Sequence, residues 1–230
     1  MKEITQSHQA FFFCNNENTA PTPPNIGALM AALGKFELIP TIGNEFQAQT
    51  GAKRQFIVMV NSDETVRLEM PSAGISLVKQ GGTRESFYEL MKNIFKALQS
   101  VFPEKKANRL SLLNTAFFQG SNEEYEALYQ KLFTYKDVRP FEWDNRIVEK
   151  RELANSGEKI NSISIVRRCQ NRIPDFNNGN LTDLVLFDID SNTDAYDNSF
   201  RFTFDTALSV WEELYENNER LTEQLQRYEK

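Results

Sequence analysis

The stretch "TRESFYELMKNIFKALQSVF" constrains this chain more than any other. Its apolar residues fall at Phe87, Leu90, Met91, Ile94, Phe95, Leu98, Val101 and Phe102. Steps of three and four residues place them along one side of a helix, which must lie against an apolar surface. Thr83 stands where the helix should be capped, and Pro103 ends it. The preceding sequence supplies the surface. "KFELIPTI", "RQFIVMVN", "TVRLEM" and "AGISLVKQ" are short strand-forming runs, the last three joined by the turn-forming "NSDE" and "PSAG". Val66, Leu68 and Met70 alternate with Arg67 and Glu69, giving one buried and one wet face. The pattern predicts an α+β fold: antiparallel sheet packed by amphipathic helices.

The rest of the chain repeats the theme. In "TAPTPPNIGALMAALGKFEL", Thr22 can cap a helix, Pro23 suits its first position and Gly34 stops it. "NRLSLLNTAFFQG" reads as a strand, and "SNEEYEALYQKLFTY" as a helix opened by a capping box of Ser121 and Glu124. "FEWDNRIVEKREL" and "KINSISIVRRCQNRI" are strands about the turn "ANSGE", "LTDLVLFDID" is a third, and a long helix runs from about 205 to 228. Residues 1–20, polar apart from "AFFFC", read as a short strand or an N-terminal arm. Residues 21–230 read as one domain, whose element order allows two similar halves, 21–134 and 135–230. No residue-level repeat links them.

Composition narrows the function. A net charge of −6, from 32 acids and 26 bases, speaks against a large nucleic-acid footprint and suits a partner with a basic surface. No run approaches the ~18 apolar residues of a membrane span, and the first residues lack a signal-peptide core. A cytoplasmic location is expected, with Cys14 and Cys169 reduced. One histidine, His8, and two distant cysteines are too few for a sulfur/nitrogen zinc site, and a base on a polar N-terminal segment is poorly held for nucleophilic catalysis. "GALMAALGK" has the wrong glycine spacing for a phosphate loop. No cofactor is expected.

Three groups remain as candidate sites. The first is acidic: "LVLFDIDSNTDAYDNS" holds Asp188, Asp190, Asp194 and Asp197. Val185, Phe187 and Ile189 share one face of a strand, with Asp188 and Asp190 continuing the other, as in a strand that starts buried and ends in solvent. As a calcium loop the run fails, having Thr193 where Gly is needed and Ser199 where Glu is needed. A looser metal site on Asp188 and Asp190, joined by Glu142 or Glu152, would suit magnesium-dependent phosphodiester chemistry. The second group is basic: Arg109 and Arg168 are candidate anion ligands, with Arg168 on the opposite strand face to Arg167. The third is the terminal helix. Trp211, Leu214, Asn218, Leu221, Leu225 and Tyr228 follow a 3–4 spacing, a seam able to bind another protein or a second copy, with Asn218 setting register.

Several segments together resemble a sporadically distributed family of uncharacterised bacterial proteins of about this length. They are "RQFIVMVNSDETVRLEMPSAGISL", "FYELMKNIFKALQSVFPEKKANRLSLLNTAFF", "LVLFDID" and the terminal helix. Arg109 fits the family's Arg-led strand, whereas Ser111 and Leu113 stand where that strand carries Gly and a second Arg. The resemblance implies a role in mobile elements or phage–host conflict. Two functions are therefore expected: a non-enzymatic protein that binds and modulates another protein, or a metal-dependent phosphodiesterase or nuclease using Asp188 and Asp190.

Overall fold

The computed structural model describes residues 1–46, 51–173 and 176–228. Nine strands form one antiparallel sheet: β1 (Lys2–Cys14), β2 (Ile39–Phe46), β3 (Lys53–Val60), β4 (Val66–Glu69), β5 (Ile75–Gln80), β6 (Ala107–Gln119), β7 (Trp143–Glu152), β8 (Lys159–Asn171) and β9 (Thr182–Thr193). Four helices accompany them: α1 (Pro23–Leu33), α2 (Arg84–Val101), α3 (Asn122–Leu132) and α4 (Phe204–Leu225). The fold is α+β.

The sheet order is β2-β3-β4-β5-β1-β6-β9-β8-β7. Apart from the outermost strand β2, it is symmetric about the β1–β6 pair. In the first half, a strand and a helix lead into the β2–β5 meander and then α2. In the second, β6 and α3 lead into β7–β9 and then α4. The halves therefore divide between α2 and β6, earlier than residue 134. The first twenty residues are no arm: β1 lies at the middle of the sheet, paired with β5 on one side and β6 on the other. Its first half reads as polar because neither of its faces is purely apolar. Ser7 and Gln9 point away from the helices, and His8 points into a buried polar network.

All four helices cover the same face. Ala10, Phe12 and Cys14 of β1, Leu68 of β4, Leu77 of β5 and Leu110 and Leu112 of β6 pack with Phe87, Met91, Phe95 and Leu98 of α2 and with Trp211 and Leu214 of α4. Phe12 stacks on Phe204 at 4.7 Å, and Phe95 lies 4.5 Å from Trp211. A second cluster joins Tyr125, Leu128 and Tyr129 of α3 to Phe118, Val166, Val185 and Phe187 of the sheet and Leu221 and Leu225 of α4. Capping follows the sequence at two helices. Thr83 accepts from the Ser86 N–H, and Ser121 and Glu124 form their reciprocal box. Thr22 makes no side-chain cap, and Pro23 opens α1 without one.

α4 belongs to this interior. Trp211, Leu214 and Asn218 are fully buried, Leu221 and Leu225 nearly so, and Tyr228 packs against the second cluster. The seam expected to meet a partner meets the chain's own sheet, because a 3–4 spacing is equally the pattern of a core helix. Asn218 does fix register, but within one molecule. Its Nδ2 donates to Leu112 O and Asn114 Oδ1, each at 2.9 Å, and its Oδ1 accepts from Ser191 Oγ. The network runs on through Asn217 to Ser191 and Ser162, and through Asn114 to His8 Nδ1 at 2.8 Å.

Candidate functional site

Since all four helices occupy one face, the other face of the sheet is free of them, and the strand register states what lies on it. In β1 these are Thr5, Ser7, Gln9, Phe11 and Phe13; in β6, Arg109, Ser111, Leu113, Thr115 and Phe117. β9 contributes Leu186, Asp188, Asp190 and Asn192, and β8 contributes Asn161, Ile163, Ile165 and Arg167. Phe11 and Phe13 stack at 5.3 Å, and the Arg109 guanidinium sits 5.0 Å over the Phe13 ring.

Asp188 and Asp190 stand on this face, but not at the wet end of a strand. β9 runs on to Thr193, and Ser191, Asn192 and Thr193 are all buried. The neighbouring strands explain how two acids fit inside a sheet. Asp188 pairs with Arg167 of β8 and accepts from Thr115 Oγ1 of β6 at 2.6 Å. Asp190 accepts from Ser111 Oγ and from Asn192 Nδ2, both at 2.9 Å. Asn192 accepts in turn from Arg109 Nη2 and Asn161 Nδ2, each at 2.9 Å. Burial pushes the Asp190 carboxyl above the usual carboxylate range, against the pull of its hydrogen bonds and of Arg109 and Arg146. Arg109 Nε and Arg167 Nε are buried without an acceptor.

The other acids behave differently. Asp194 and Asp197 are turn residues that accept from the Tyr196 and Ser199 N–H groups. Glu142 lies near the backbone of Gln170, 3.4 Å from its N–H. Among the described residues, no group of three His, Cys, Asp or Glu side chains converges as a metal ligand set. The acid cluster that looks continuous in sequence is thus two residues inside an ion-paired sheet network and two in a turn.

Arg168 points to the helix face, as its alternation with Arg167 predicts, but it is no open anion ligand. It is buried, donates from Nη2 to Asp183 Oδ2 at 2.6 Å and to Asn122 at 2.8 Å, and lies between the rings of Tyr125 and Phe141. Arg109 is the candidate basic residue that does reach the open face. His8 is fully buried against Phe87, and burial lowers its pKa to about 4. Neutral imidazole accepts from Asn114 at Nδ1, so its proton sits on Nε2, 3.4 Å from Gly82 O.

The sequence did not reveal a cavity of about 460 Å³ at one end of the open face. It is lined by Thr5, Ser7 and Phe117 of the sheet, by Asn171 at the end of β8, and by Ile173 and Phe176 of the segment after it. The segment's composition carries no signal for this; the β1–β6 register sets Thr5 beside Phe117, and the chain beyond β8 comes to lie against them only in the folded sheet. Charge on the open face is balanced. Arg54, Arg67, Arg109, Arg146, Lys150, Lys159 and Arg167 are interleaved with Glu45, Glu69, Asp144, Glu152, Asp188 and Asp190. Arg54–Glu45 at 2.6 Å and Arg67–Glu69 at 2.5 Å are direct pairs. No described helix is long and apolar enough to cross a membrane.

No family model matches the sequence, and no curated protein matches it. Among solved structures the chain is similar to Methanococcus jannaschii TBP at 10% identity, over 95% of this chain and 98% of that one, with a TM-score of 0.25. That likeness is too slight to carry an argument about fold or function.

Proposed function

We propose that the protein is a non-enzymatic binding protein that engages and modulates another protein through the helix-free face of its sheet. One observation carries the reading: four helices crowd one side of a nine-stranded sheet and leave the other with paired charges, stacked aromatics and a cavity. Half-buried rings such as Phe11, Phe13 and Phe117, interspersed with polar groups that mostly bond one another, suit a protein partner. A polyanion would call for unpaired cations, and here acids answer the bases across the face. The family resemblance directs the search for a partner to mobile-element, toxin or phage-defence systems.

The phosphodiesterase reading has weaker support. Metal-assisted phosphoryl chemistry needs several convergent carboxylates, whereas Asp188 already faces a guanidinium and Asp190 faces donors that a cation would have to displace.

The test is capture from host extract with three baits: the natural chain, Phe11→Asp/Phe117→Asp on the open face, and Glu212→Lys/Glu216→Lys on the exposed side of α4. A stoichiometric partner held by the first and third and lost by the second is the expected result. A partner held equally by all three, with each bait shown to be folded by its melting transition, refutes the assignment to this face.

A further inference from the structure

The two halves of the sheet are not equal, and the difference marks a binding edge. Counted outward from the central pair, β1-β5-β4-β3 on one side and β6-β9-β8-β7 on the other, β3 and β7 hold matching places. In the first half β2 covers the outer edge of β3 over eight residue pairs. In the second, the segment between α3 and β7 contains no strand, and β7 closes the sheet with its outer side unpaired among the described residues. β7 is ten residues long and has neither Pro nor Gly, so every backbone donor is present. The opposite edge, β2, carries Pro40, which removes one. Ile147 and Val148, at the centre of β7, are 55% and 41% exposed.

We infer that β7 pairs antiparallel with β7 of a second copy of this chain, centred on Ile147. A two-fold axis normal to the sheet keeps directly opposed residues on the same face, so only registers in which a residue meets itself or one an even number of positions away are allowed. Centred on Ile147, the pairing sets Asp144 against Lys150, Trp143 against Arg151, Asn145 against Glu149 and Arg146 against Val148, each twice. Within residues 143–151 every charged contact is then attractive or neutral, and Glu152 extends past the end of the facing strand. The neighbouring centres fail on charge. Val148 at the axis opposes Arg146 to Lys150 and Asp144 to Glu152, while Arg146 at the axis opposes itself. Glu149 at the axis likewise opposes itself. Asn145 at the axis has no like-charge contact but pairs only residues 143–147, half of the strand. Charge, which also keeps this edge from indiscriminate pairing, and paired length together therefore select one register. Lys150 is 63% exposed, and its present ion pair with Asp194 is long, at 3.8 Å, so it can exchange that partner. The product joins two nine-stranded sheets edge to edge. A single strand pair lies at the low end of the ~1,200–2,000 Å² of specific interfaces, so the dimer is concentration-dependent.

The experiment uses the full chain in two arms. In the first, sedimentation follows the monomer–dimer equilibrium of the natural chain, Asp144→Lys, Lys150→Asp and the double exchange. Each single variant places like charges across the axis twice, and at about 0.2–1 kcal/mol per cross-strand pair weakens dimerisation roughly 2–30-fold. The double exchange restores it. In the second, Ile147→Cys and Val148→Cys are each oxidised mildly in a Cys169→Ser background. The inferred register crosslinks position 147 and not 148. Crosslinking at 148, or equally at both, overturns the register. A chain that stays monomeric at every concentration, or a dimer indifferent to both charge variants, overturns the pairing and leaves this edge to a strand of another protein.

Discussion

His8 is the sequence's single histidine, which makes its environment measurable. It is fully buried, and its acceptor Nδ1 receives Asn114 Nδ2. Protonation would put two donors face to face. Asn114 cannot turn its oxygen towards the ring without losing the bond from Asn218 Nδ2. Burial is the largest cause of the lowered pKa, and Lys79 and Arg84 add to it. The unfolded chain takes up the proton near pH 6.5 and the folded chain near 4. Between those values the unfolded state binds more protons, so stability is complete above pH 6.5 and falls as the pH drops. Integrated from pH 8 to pH 5, the loss is about 2 kcal/mol. Ordinary carboxylates titrate mainly below that window, and subtraction of the His8→Gln variant, whose amide oxygen can still accept from Asn114, removes their share. Urea unfolding at pH 8, 7, 6 and 5 measures both proteins. The natural chain should lose about 2 kcal/mol more than the variant over this range. Equal losses in the two would refute the buried, neutral imidazole and the directional network built on it.

Chelator-treated protein titrated with magnesium, manganese or calcium should give no saturable heat; saturable binding abolished by Asp188→Ala/Asp190→Ala would return phosphodiester chemistry to first place. Asn218→Ala should cost roughly 2–4 kcal/mol in urea unfolding, because Ser191, Asn114 and the Leu112 carbonyl each lose a buried partner; a cost below 0.5 kcal/mol would mean that water replaces it readily. Leu214→Ala, at a fully buried position on the inner side of α4, should cost about 2–5 kcal/mol and leave the β7-dependent dimer equilibrium unchanged once the protein is folded. Thr83→Ala should cost about 1 kcal/mol through loss of the α2 cap, read as a lower melting temperature.

The elements that could be read from sequence are those whose signal is local. The α2 periodicity, the Thr83 cap, the Ser121–Glu124 box and the alternation of Val66, Leu68 and Met70 depend on neighbours within one or two turns or along one strand. β1 escaped because its signal is not local. Ser7, His8 and Gln9 look solvent-bound until Asn114 and Gly82 are brought beside the imidazole. The same holds for Asp188, whose compensation by Arg167 comes from the next strand over. Alternation placed the aspartates on the correct side of β9, but only register could say that the strand stays buried beyond them. The α4 seam shows a different limit: spacing identifies an apolar stripe and says nothing of whether another molecule or the same one covers it.

The central position of β1 also bears on how the chain is made. Its ladder partners are residues 75–80 and 107–119. At ~5–20 residues per second, a ribosome needs on the order of 5–20 s after completing β1 to deliver the second of them. Through that interval "AFFFC", an aromatic run, can pair at most with β5, and its β6 edge stays vacant. β1 is also the strand by which the first half completes its sheet and joins the other, so a nascent chain halted before β6 holds the β1–β5 strands, two helices and a central strand with one edge still open. Productive folding of this molecule thus waits on its middle, and β1, made before either partner, is among the last strands to gain all its neighbours.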